Sequence, residues 1–313
     1  MVFQDGLGNT DEHAKQFNIC LEIGFPIPFE VYTAWKPQKH VQLLSDIRKF
    51  VVENQPVTVR QVYYHFVSTQ DLESKVESYN LIKRLLTKAR LCGFIDFDWI
   101  VDDTRSPDKT SSWSNINEIL DAAIRQYRSD WQINQPKYVE VWLEKRTLRR
   151  VFRPITNSYD LNLCVGGGYQ STDMIDDAAK RMRERAKKGQ ELVILYFGDL
   201  NCSGKDMSRD IQDRLVTLGV NVRMEEVALS KEDVDEYELP KNPTKRKDSR
   251  ANWFVKKYGI NYSVELDALT PQILRGKIHS AICRELDLTK IQQCRDFDDV
   301  EKKKAIARLY GLA

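Results

Sequence analysis

The sequence has no long hydrophobic run, no secretion signal and no cysteine motif. No segment approaches the roughly 20 apolar residues that a membrane-spanning helix needs. The first residues lack the basic start and apolar stretch of a signal peptide. The six cysteines are scattered without a CxxC pair or a Cys/His cluster, which argues against a zinc site and a disulfide framework. We therefore expect a cytoplasmic protein with reduced thiols and no membrane segment.

Charge of one sign is not in excess either. The 48 Lys and Arg residues balance 46 Asp and Glu residues, giving a formal net charge of +2. The chain as a whole offers no field that attracts a polyanion, so any nucleic-acid surface has to be local. With 313 residues, of which 42% are hydrophobic and 30% charged, the chain is long enough for two domains. This balance excludes collagen-like and low-complexity proteins.

Apolar spacing predicts a helical domain at residues 36–134, after an N-terminal arm at residues 1–35. Residues 39–50 carry apolar side chains three positions apart, Thr58 is placed to cap a second helix, and residues 74–92 predict a third. Residues 94–100 alternate apolar and acidic side chains, which is typical of a strand or wing. Three helices and a short β element predict a winged-helix (CAP-like) domain, in which one helix enters a groove of duplex DNA.

From residue 135 onward, predicted strands alternate with predicted helices. The strands are expected at residues 138–143, 161–165, 191–197 and 220–224, and the helices at residues 147–152, 173–187 and 207–218. This alternation is typical of a parallel sheet with helical crossovers. The sequence therefore predicts an α/β domain at residues 135–230. It is followed by a helical C-terminal extension at residues 231–313 that packs on the sheet domain.

Acidic residues follow two of these strands. Glu144 ends the first, and Asp199 follows the apolar strand that Gly198 closes. Because the carboxyl ends of parallel strands meet at one edge of a sheet, we expect the two side chains to lie together. Carboxylates in such a place are suitable Mg²⁺ ligands, and Asn201 offers a further oxygen. Either acid alone is more often a helix cap or a solvated loop residue, but the pair favours a metal site.

Several short motifs resemble a known family. Glu144-Lys145 after a strand, the glycine turn at residues 166–168 and the acidic Asp199 loop with a following Ser-Gly resemble the Toprim domain of topoisomerases, primases and related nucleases. Residues 60–64 resemble the Arg-x-x-Tyr-Tyr motif of the topoisomerase VI A subunit and of the related meiotic break-forming protein. The glycine turn lacks the GxxxxGK[ST] pattern, so it predicts no ATP site.

The order of these motifs also matches that family, since a winged helix precedes a Toprim domain. Residues 265–269 resemble the segment that follows Toprim, so the resemblance spans residues 40–290. The short chain looks most like the compact stand-alone Mini-A group of mobile elements. The resemblance implies an N-terminal winged-helix domain, a Toprim Rossmann-like parallel-sheet domain and a helical C-terminal extension.

The resemblance also implies a reaction, which is DNA transesterification. Tyr64 is the implied nucleophile, which becomes linked to a DNA 5′ phosphate, and Arg60 one helical turn earlier holds the phosphate or favours the phenolate. Glu144, Asp199 and Asn201 are the implied ligands of Mg²⁺, which stabilises the charge of the transition state. Lys145 adds a phosphate contact.

The implied partners are double-stranded DNA, a second copy of the chain and a separate ATPase (B-type) subunit. Two nucleophiles are needed to cut both strands, which favours a two-fold homodimer. No membrane partner is expected, and the protein is expected in the cytoplasm, with nucleoid association as an option. For the DNA surface we select one basic group: Lys245, Arg246, Lys247 and Arg250.

Alternatives to transesterification stay open. Tyr63 and Tyr64 have a second interpretation as core aromatics of a helical domain, which would leave a Toprim nuclease that uses water. The family loop usually carries a second acid where this chain has Asn201, with Asp206 as a distant substitute. This departure favours one Mg²⁺ ion over two, and it also supports a third hypothesis, a non-catalytic DNA-binding module.

Overall fold

The computed structural model describes residues 38–91, 93–101, 111–244 and 248–311. They form two compact units. The first comprises the described residues up to 101 together with residues 267–272, and the second comprises the described residues from 111 to 266 and from 273 onward. Within these ranges, no helix combines the length and apolar character needed to cross a membrane. The domain boundaries set at residues 35, 134 and 230 stay predictions.

In the described part of the first unit three helices follow one another, at the places that the apolar spacing predicts: α1 (Gln38–Asn54), α2 (Val59–Ser68) and α3 (Val76–Leu91). Helix α2 begins at the expected place because of a reciprocal cap. The Gln61 backbone N–H donates to the Thr58 hydroxyl at 3.1 Å, and the Thr58 N–H donates to the Gln61 side chain at 2.9 Å. Buried apolar side chains from all three helices form the core: Leu44, Ile47, Val62, Phe66, Ile82 and Leu86.

The strand or wing predicted at residues 94–100 is wrong. A 3₁₀ turn occupies Phe97–Trp99, and the Asp96 side chain accepts the Asp98 N–H at 2.9 Å and so caps this turn. β pairing is limited to a single parallel bridge between Val57 and Ile100. The Asp96 carboxylate of the alternating stretch therefore forms a local cap, and such a cap competes with strand formation.

The second unit contains a four-stranded sheet in which every pair of neighbouring strands is parallel, in the order β2-β1-β3-β4. The strands are β1 (Lys137–Leu143), β2 (Asn162–Val165), β3 (Glu191–Phe197) and β4 (Arg223–Ala228). The helices up to the end of the sheet are α4 (Ile116–Gln126), α5 (Arg149–Ser158), α6 (Thr172–Lys187) and α7 (Cys202–Thr217), with a 3₁₀ turn at Arg146–Leu148 before α5. The predicted α/β class and the parallel sheet are confirmed.

Both central strands are buried on two faces, which explains the continuous apolar run of β3 after Glu191 and the mostly apolar sequence of β1, which Glu140 interrupts. The sheet departs from the prediction at β4, which starts at Arg223 instead of residue 220. Val220 and Val222 are core residues before the strand begins. The alternation of Val220 and Val222 therefore indicates that both side chains are buried, and not that these residues pair in a strand.

A buried carboxylate lies inside β1. Glu140 is fully buried, and its oxygens accept hydrogen bonds from the Tyr138 hydroxyl at 2.9 Å and the Trp142 indole N–H at 3.0 Å. The guanidinium group of Arg181 on α6 forms an ion pair with it at 3.0 Å. Asn162 and Cys164 of β2 complete the contacts. Such a charge is tolerated in a core because each oxygen has several donors.

The C-terminal part of the chain is mainly helical. Its elements are α8 (Lys231–Glu236), β5 (Asn242–Pro243), α9 (Ala251–Tyr258), β6 (Tyr262–Ser263), a 3₁₀ turn (Leu266–Ala268), α10 (Pro271–Glu285) and α11 (Leu288–Leu309). Strands β5 and β6 pair in antiparallel fashion. An isolated bridge joins Val264 to Leu200, in the loop after β3. This bridge holds the chain before α10 against the carboxyl edge of the sheet.

Protonation of His65 is expected to destabilise the first unit. The imidazole stacks on Phe50 with ring centroids 4.0 Å apart, and burial lowers its pKa, although Asp71 and Glu53 oppose this effect. This contribution to stability is therefore complete above the unfolded-state pKa of about 6.5 and is lost as the pH falls below it. Melting temperatures between about pH 7.5 and pH 5 should fall more in the wild type than in His65→Phe. An NMR titration that gives His65 a pKa above the ordinary value would contradict this.

Candidate active site

The ends of β1 and β3 bring Glu144 and Asp199 together. In the sheet register Leu143 lies opposite Phe197, and the Glu144 N–H donates to the Phe197 carbonyl at 2.9 Å. Beyond the strands, the Asp199 N–H donates to Glu144 Oε2 at 2.8 Å. The two acids therefore lie at one edge of the sheet, as their positions after parallel strands lead us to expect.

Two glycines make room for the Glu144 carboxylate. A Cβ atom on Gly198 would lie 2.9 Å from Glu144 Oε2, and one on Gly204 would lie 3.0 Å from the same oxygen. The Gly204 Cβ would also lie 2.3 Å from the Asp199 carbonyl oxygen, which is closer than any real contact. Glycine at both positions is thus required by close approach of the carboxylate and the backbone.

Asp199 is a nearly buried anion with three donors. It is 5% exposed. Its Oδ1 accepts the Leu266 N–H at 2.8 Å, and its Oδ2 accepts the Asn201 Nδ2 at 3.2 Å and faces Lys145 Nζ at 2.8 Å. Charge-assisted donors of this kind stabilise the ionised carboxylate.

Lys145 bridges two carboxylates. Besides Asp199, its Nζ lies 2.9 Å from Glu265 Oε2, and its side chain is only 17% exposed. Glu265 follows Val264, whose bridge to Leu200 places it beside the Asp199 loop. The lysine predicted to contact phosphate thus has two protein partners at this edge.

Asn201 forms the N-cap of α7. Its Oδ1 accepts the Gly204 N–H at 2.8 Å, so the oxygen predicted as a metal ligand has a helix-capping contact. The cap also explains why α7 starts at Cys202, five residues before the predicted start. The Tyr196 hydroxyl also contacts the first turn of α7, where it donates a hydrogen bond to the Gly204 carbonyl at 3.3 Å. Burial, followed by the charges of Glu144 and Asp199, raises the pKa of the Tyr196 phenol and keeps it protonated.

The glycine turn and the first turn of α7 share a polar cluster. Arg250 donates to the Tyr169 hydroxyl at 2.6 Å and to Ser203 Oγ at 2.9 Å, and it pairs with Asp248 at 2.9 Å. The hydrogen bonds to Asp248, with smaller contributions from Tyr169, raise the Arg250 pKa. Asp206, the distant substitute acid, accepts hydrogen bonds from Tyr169 and Arg209, so it belongs to this cluster. Of the four predicted DNA contacts only Arg250 is described, and Lys245, Arg246 and Lys247 lie outside the described residues.

Tyr64 and Arg60 lie in the first unit, on α2. The Arg60 guanidinium carbon is 5.8 Å from the Tyr64 ring centroid, as the spacing of one helical turn predicts. Arg60 Nε also lies 3.4 Å from Asp267 Oδ2, and the Asp267 side chain is fully buried. The Tyr64 side chain is 6% exposed, and its ring meets that of Tyr63 edge to face at 5.0 Å. The residue proposed as a nucleophile is therefore mostly covered in a single chain.

The donor chemistry at the sheet edge fits one Mg²⁺ ion. Across the described stretches, no group of three or more His, Cys, Asp or Glu side chains is arranged to hold a metal. Glu144 and Asp199 form a pair, and Mg²⁺ typically takes one or two carboxylates and completes its shell with water and phosphate oxygens. An ion at this pair competes with the Lys145 ammonium for Asp199 Oδ2.

The sequence reasoning missed two features of this edge. One is the contact of Glu265 with Lys145. In the sequence, Glu265 stood out only as part of a segment that resembles the family, and no local pattern links it to Lys145, 120 positions away. The other feature is a set of four exposed arginines on and before α5: Arg146, Arg149, Arg150 and Arg153. Their spacing of three and four directly after Glu144-Lys145 was the available signal. We call these four residues the arginine surface.

Comparisons of the chain with protein-family models, with curated proteins and with solved structures found no match. The resemblance to the topoisomerase VI A subunit therefore depends on the short motifs and their order.

Gly198→Ala should destabilise the second unit by about 2 kcal/mol, because the added methyl group overlaps Glu144 Oε2 and the Tyr196 ring. Chemical denaturation of wild type and variant measures the difference. Gly276→Ala is the matched control, since its Cβ atom points into open space and alanine favours the α10 helix by up to about 1 kcal/mol. Equal stability of Gly198→Ala and wild type would show that the carboxylate does not occupy this place.

Proposed function

We propose that the chain is a Mg²⁺-dependent DNA transesterase, similar to the topoisomerase VI A subunit, that breaks both strands of duplex DNA. The observation that supports this best is the Glu144 and Asp199 pair at the carboxyl edge of the sheet, joined by a 2.8 Å hydrogen bond. Mg²⁺ at phosphoryl-transfer sites is typically held by one or two carboxylates, and these adjoining strand ends supply two. We assign the second unit to the Toprim type and the helices of the first to a winged-helix type.

In the proposed reaction the Tyr64 phenol oxygen attacks a backbone phosphorus. A bond forms between Tyr64 and the 5′ phosphate, the bond to the DNA 3′ oxygen breaks, and that oxygen takes up the proton that the phenol loses. Arg60 favours the phenolate, because a cation near the ring lowers the cost of the negative charge. Glu144 and Asp199 are the residues that would hold Mg²⁺, which would neutralise charge on the reacting phosphate.

Two copies of the chain are needed for a double-strand break, one tyrosine for each strand. We propose a homodimer in which the tyrosine of one copy acts with the carboxylates of the other, as the family resemblance implies. Dimer formation or a rearrangement around α2 has to uncover Tyr64, which is 6% exposed. Strand passage driven by ATP would need a separate B-type ATPase subunit. The proposed place of action is cytoplasmic, on nucleoid DNA.

The arginine surface is the best candidate for the DNA backbone contact. Its four residues are exposed and directly follow the Glu144 strand end. Guanidinium groups suit phosphate oxygens because they bind them in bidentate fashion. Arg250, which reaches Ser203 at the same edge, extends this basic surface.

A second candidate function is a metal-dependent nuclease that uses water. The covered position of Tyr64 favours it, since a tyrosine that packs against Tyr63 and Arg60 also satisfies a purely structural role. In this case the same carboxylates hold Mg²⁺, and the products carry free ends.

Tyr64→Phe should abolish a covalent protein–DNA adduct while leaving the fold intact, because it removes only the attacking oxygen. Supercoiled plasmid is incubated with the protein and Mg²⁺ and denatured with detergent, and protein attached to 5′ ends is measured. Tyr63→Phe is the matched control on the neighbouring residue, whose hydroxyl donates to the Lys75 carbonyl at 3.4 Å. It should keep the adduct.

The products separate the candidate functions. Adducts in the wild type that EDTA and Tyr64→Phe both remove support transesterification. Cleaved DNA with free ends in the wild type and in Tyr64→Phe supports the nuclease. Plasmid that is bound but never cut would reject both activities.

Replacing Arg149, Arg150 and Arg153 by Gln should weaken duplex binding. The binding constant should also depend less on salt: the negative slope of log K against the logarithm of the salt concentration should become shallower by about 2 to 3, because each lost phosphate contact removes about 0.9. Fluorescence anisotropy with labelled duplex at several salt concentrations measures this. The control is Gln at Arg183, Lys187 and Lys188, an equal loss of charge at the C-terminal end of α6. Equal effects of the two triple variants would mean that the arginine surface is not the specific DNA contact.

A further inference from the structure

We propose that Lys145 is a built-in counter-ion of Asp199 that a divalent cation has to displace, and that Glu265 receives the displaced ammonium group. The proposal depends on the metal site of the proposed function, but it concerns ion binding and not DNA cleavage. Lys145 and Glu265 are thus positioning residues that set the affinity of the site.

The starting arrangement is given by two short distances. Lys145 Nζ lies 2.8 Å from Asp199 Oδ2 and 2.9 Å from Glu265 Oε2. The side chains of Lys145 and Asp199 are 17% and 6% exposed, whereas that of Glu265 is 30% exposed. Because water screens the Asp199 contact least, the ammonium stabilises this carboxylate most.

A divalent ion and the ammonium group compete for Asp199. Oδ2 already faces Lys145 Nζ and Asn201 Nδ2, and Oδ1 accepts the Leu266 N–H. Mg²⁺ binds oxygen at about 2.1 Å, so an ion on Oδ2 would take the place of the ammonium. Repulsion between the two cations in this poorly hydrated site also drives Lys145 away.

Glu265 provides the place to which the ammonium moves. The Leu200 N–H donates to the Val264 carbonyl at 2.9 Å, and the Val264 N–H donates back at 3.0 Å, which fixes the backbone beside Glu265. Lys145 already contacts Glu265, so it can leave Asp199 by a change of side-chain torsion alone.

The test measures Mn²⁺ binding to the full chain without DNA, by electron paramagnetic resonance, with Mg²⁺ calorimetry as a second measurement. Lys145→Met should bind Mn²⁺ about tenfold more tightly, because the competitor is gone. Glu265→Gln should bind about tenfold more weakly, because displaced Lys145 has lost its second partner. In the double variant the Glu265 effect should vanish, giving the affinity of Lys145→Met.

Each other outcome has a defined meaning. Unchanged or weaker binding by Lys145→Met overturns the proposal, and so does a Glu265→Gln effect that persists in the Lys145→Met background, since Glu265 would then be a metal ligand. Lys137→Met and Glu285→Gln are matched controls on an ion pair of the same 2.8 Å length, formed by the first residue of β1, and should leave Mn²⁺ affinity unchanged.

Failure of this proposal is distinguishable from failure of the proposed function. If Asp199→Asn does not weaken Mn²⁺ binding, the metal site itself is rejected, and the present proposal with it. If the four affinities follow the expected pattern but no DNA adduct forms, only the transesterase is rejected. Circular dichroism checks that each variant folds, and Lys145→Ala replaces Lys145→Met if the latter does not.

Discussion

The hydrogen bond from the Asp199 N–H to Glu144 Oε2 joins the ends of two parallel strands, and the geometry of the candidate site depends on it. It requires β1 and β3 to end in register, and it requires Gly198 and Gly204 to leave space around the carboxylate. The same loop then passes directly into α7 through the Asn201 cap. A change in any of these parts moves the acid that the proposed chemistry uses.

Bringing anions together at a half-buried edge has an electrostatic cost, and Lys145 offsets it. Asp199 is surrounded by donors from three different segments, the β1 end, the α7 cap and the chain at Leu266. Such a carboxylate is stable without an external ion, because charge-assisted hydrogen bonds replace its hydration. In the proposed metal site, the affinity for the ion is set by the competition of two cations for Asp199, and Lys145 changes this affinity without touching the metal.

Elements with a strong local signal could be predicted from the sequence. The apolar run of β3, the mostly apolar sequence of β1 and the cap at Thr58 predicted the positions of these elements closely, because burial and capping depend on neighbouring residues. The alternation at residues 94–100 predicted a strand that does not form, because the Asp96 side chain accepts the backbone N–H of Asp98 and caps a turn instead. The partnership of Lys145 with Glu265 depends on the path of the chain between them, and no short-range pattern reports it. The placement of Glu144 beside Asp199 was predictable because parallel topology imposes it.

Buried Glu140 restricts the register of β1 in the sheet, and therefore the position at which this strand ends. Its carboxylate finds donors from β2 and α6 as well as from its own strand. A register shift of β1 by two residues would keep its apolar side chains buried, but it would separate the Glu140 carboxylate from Arg181. Hydrophobic burial alone tolerates such a shift. The buried acid therefore fixes the register of β1, and with it the position at which the strand ends and at which Glu144 enters the candidate site.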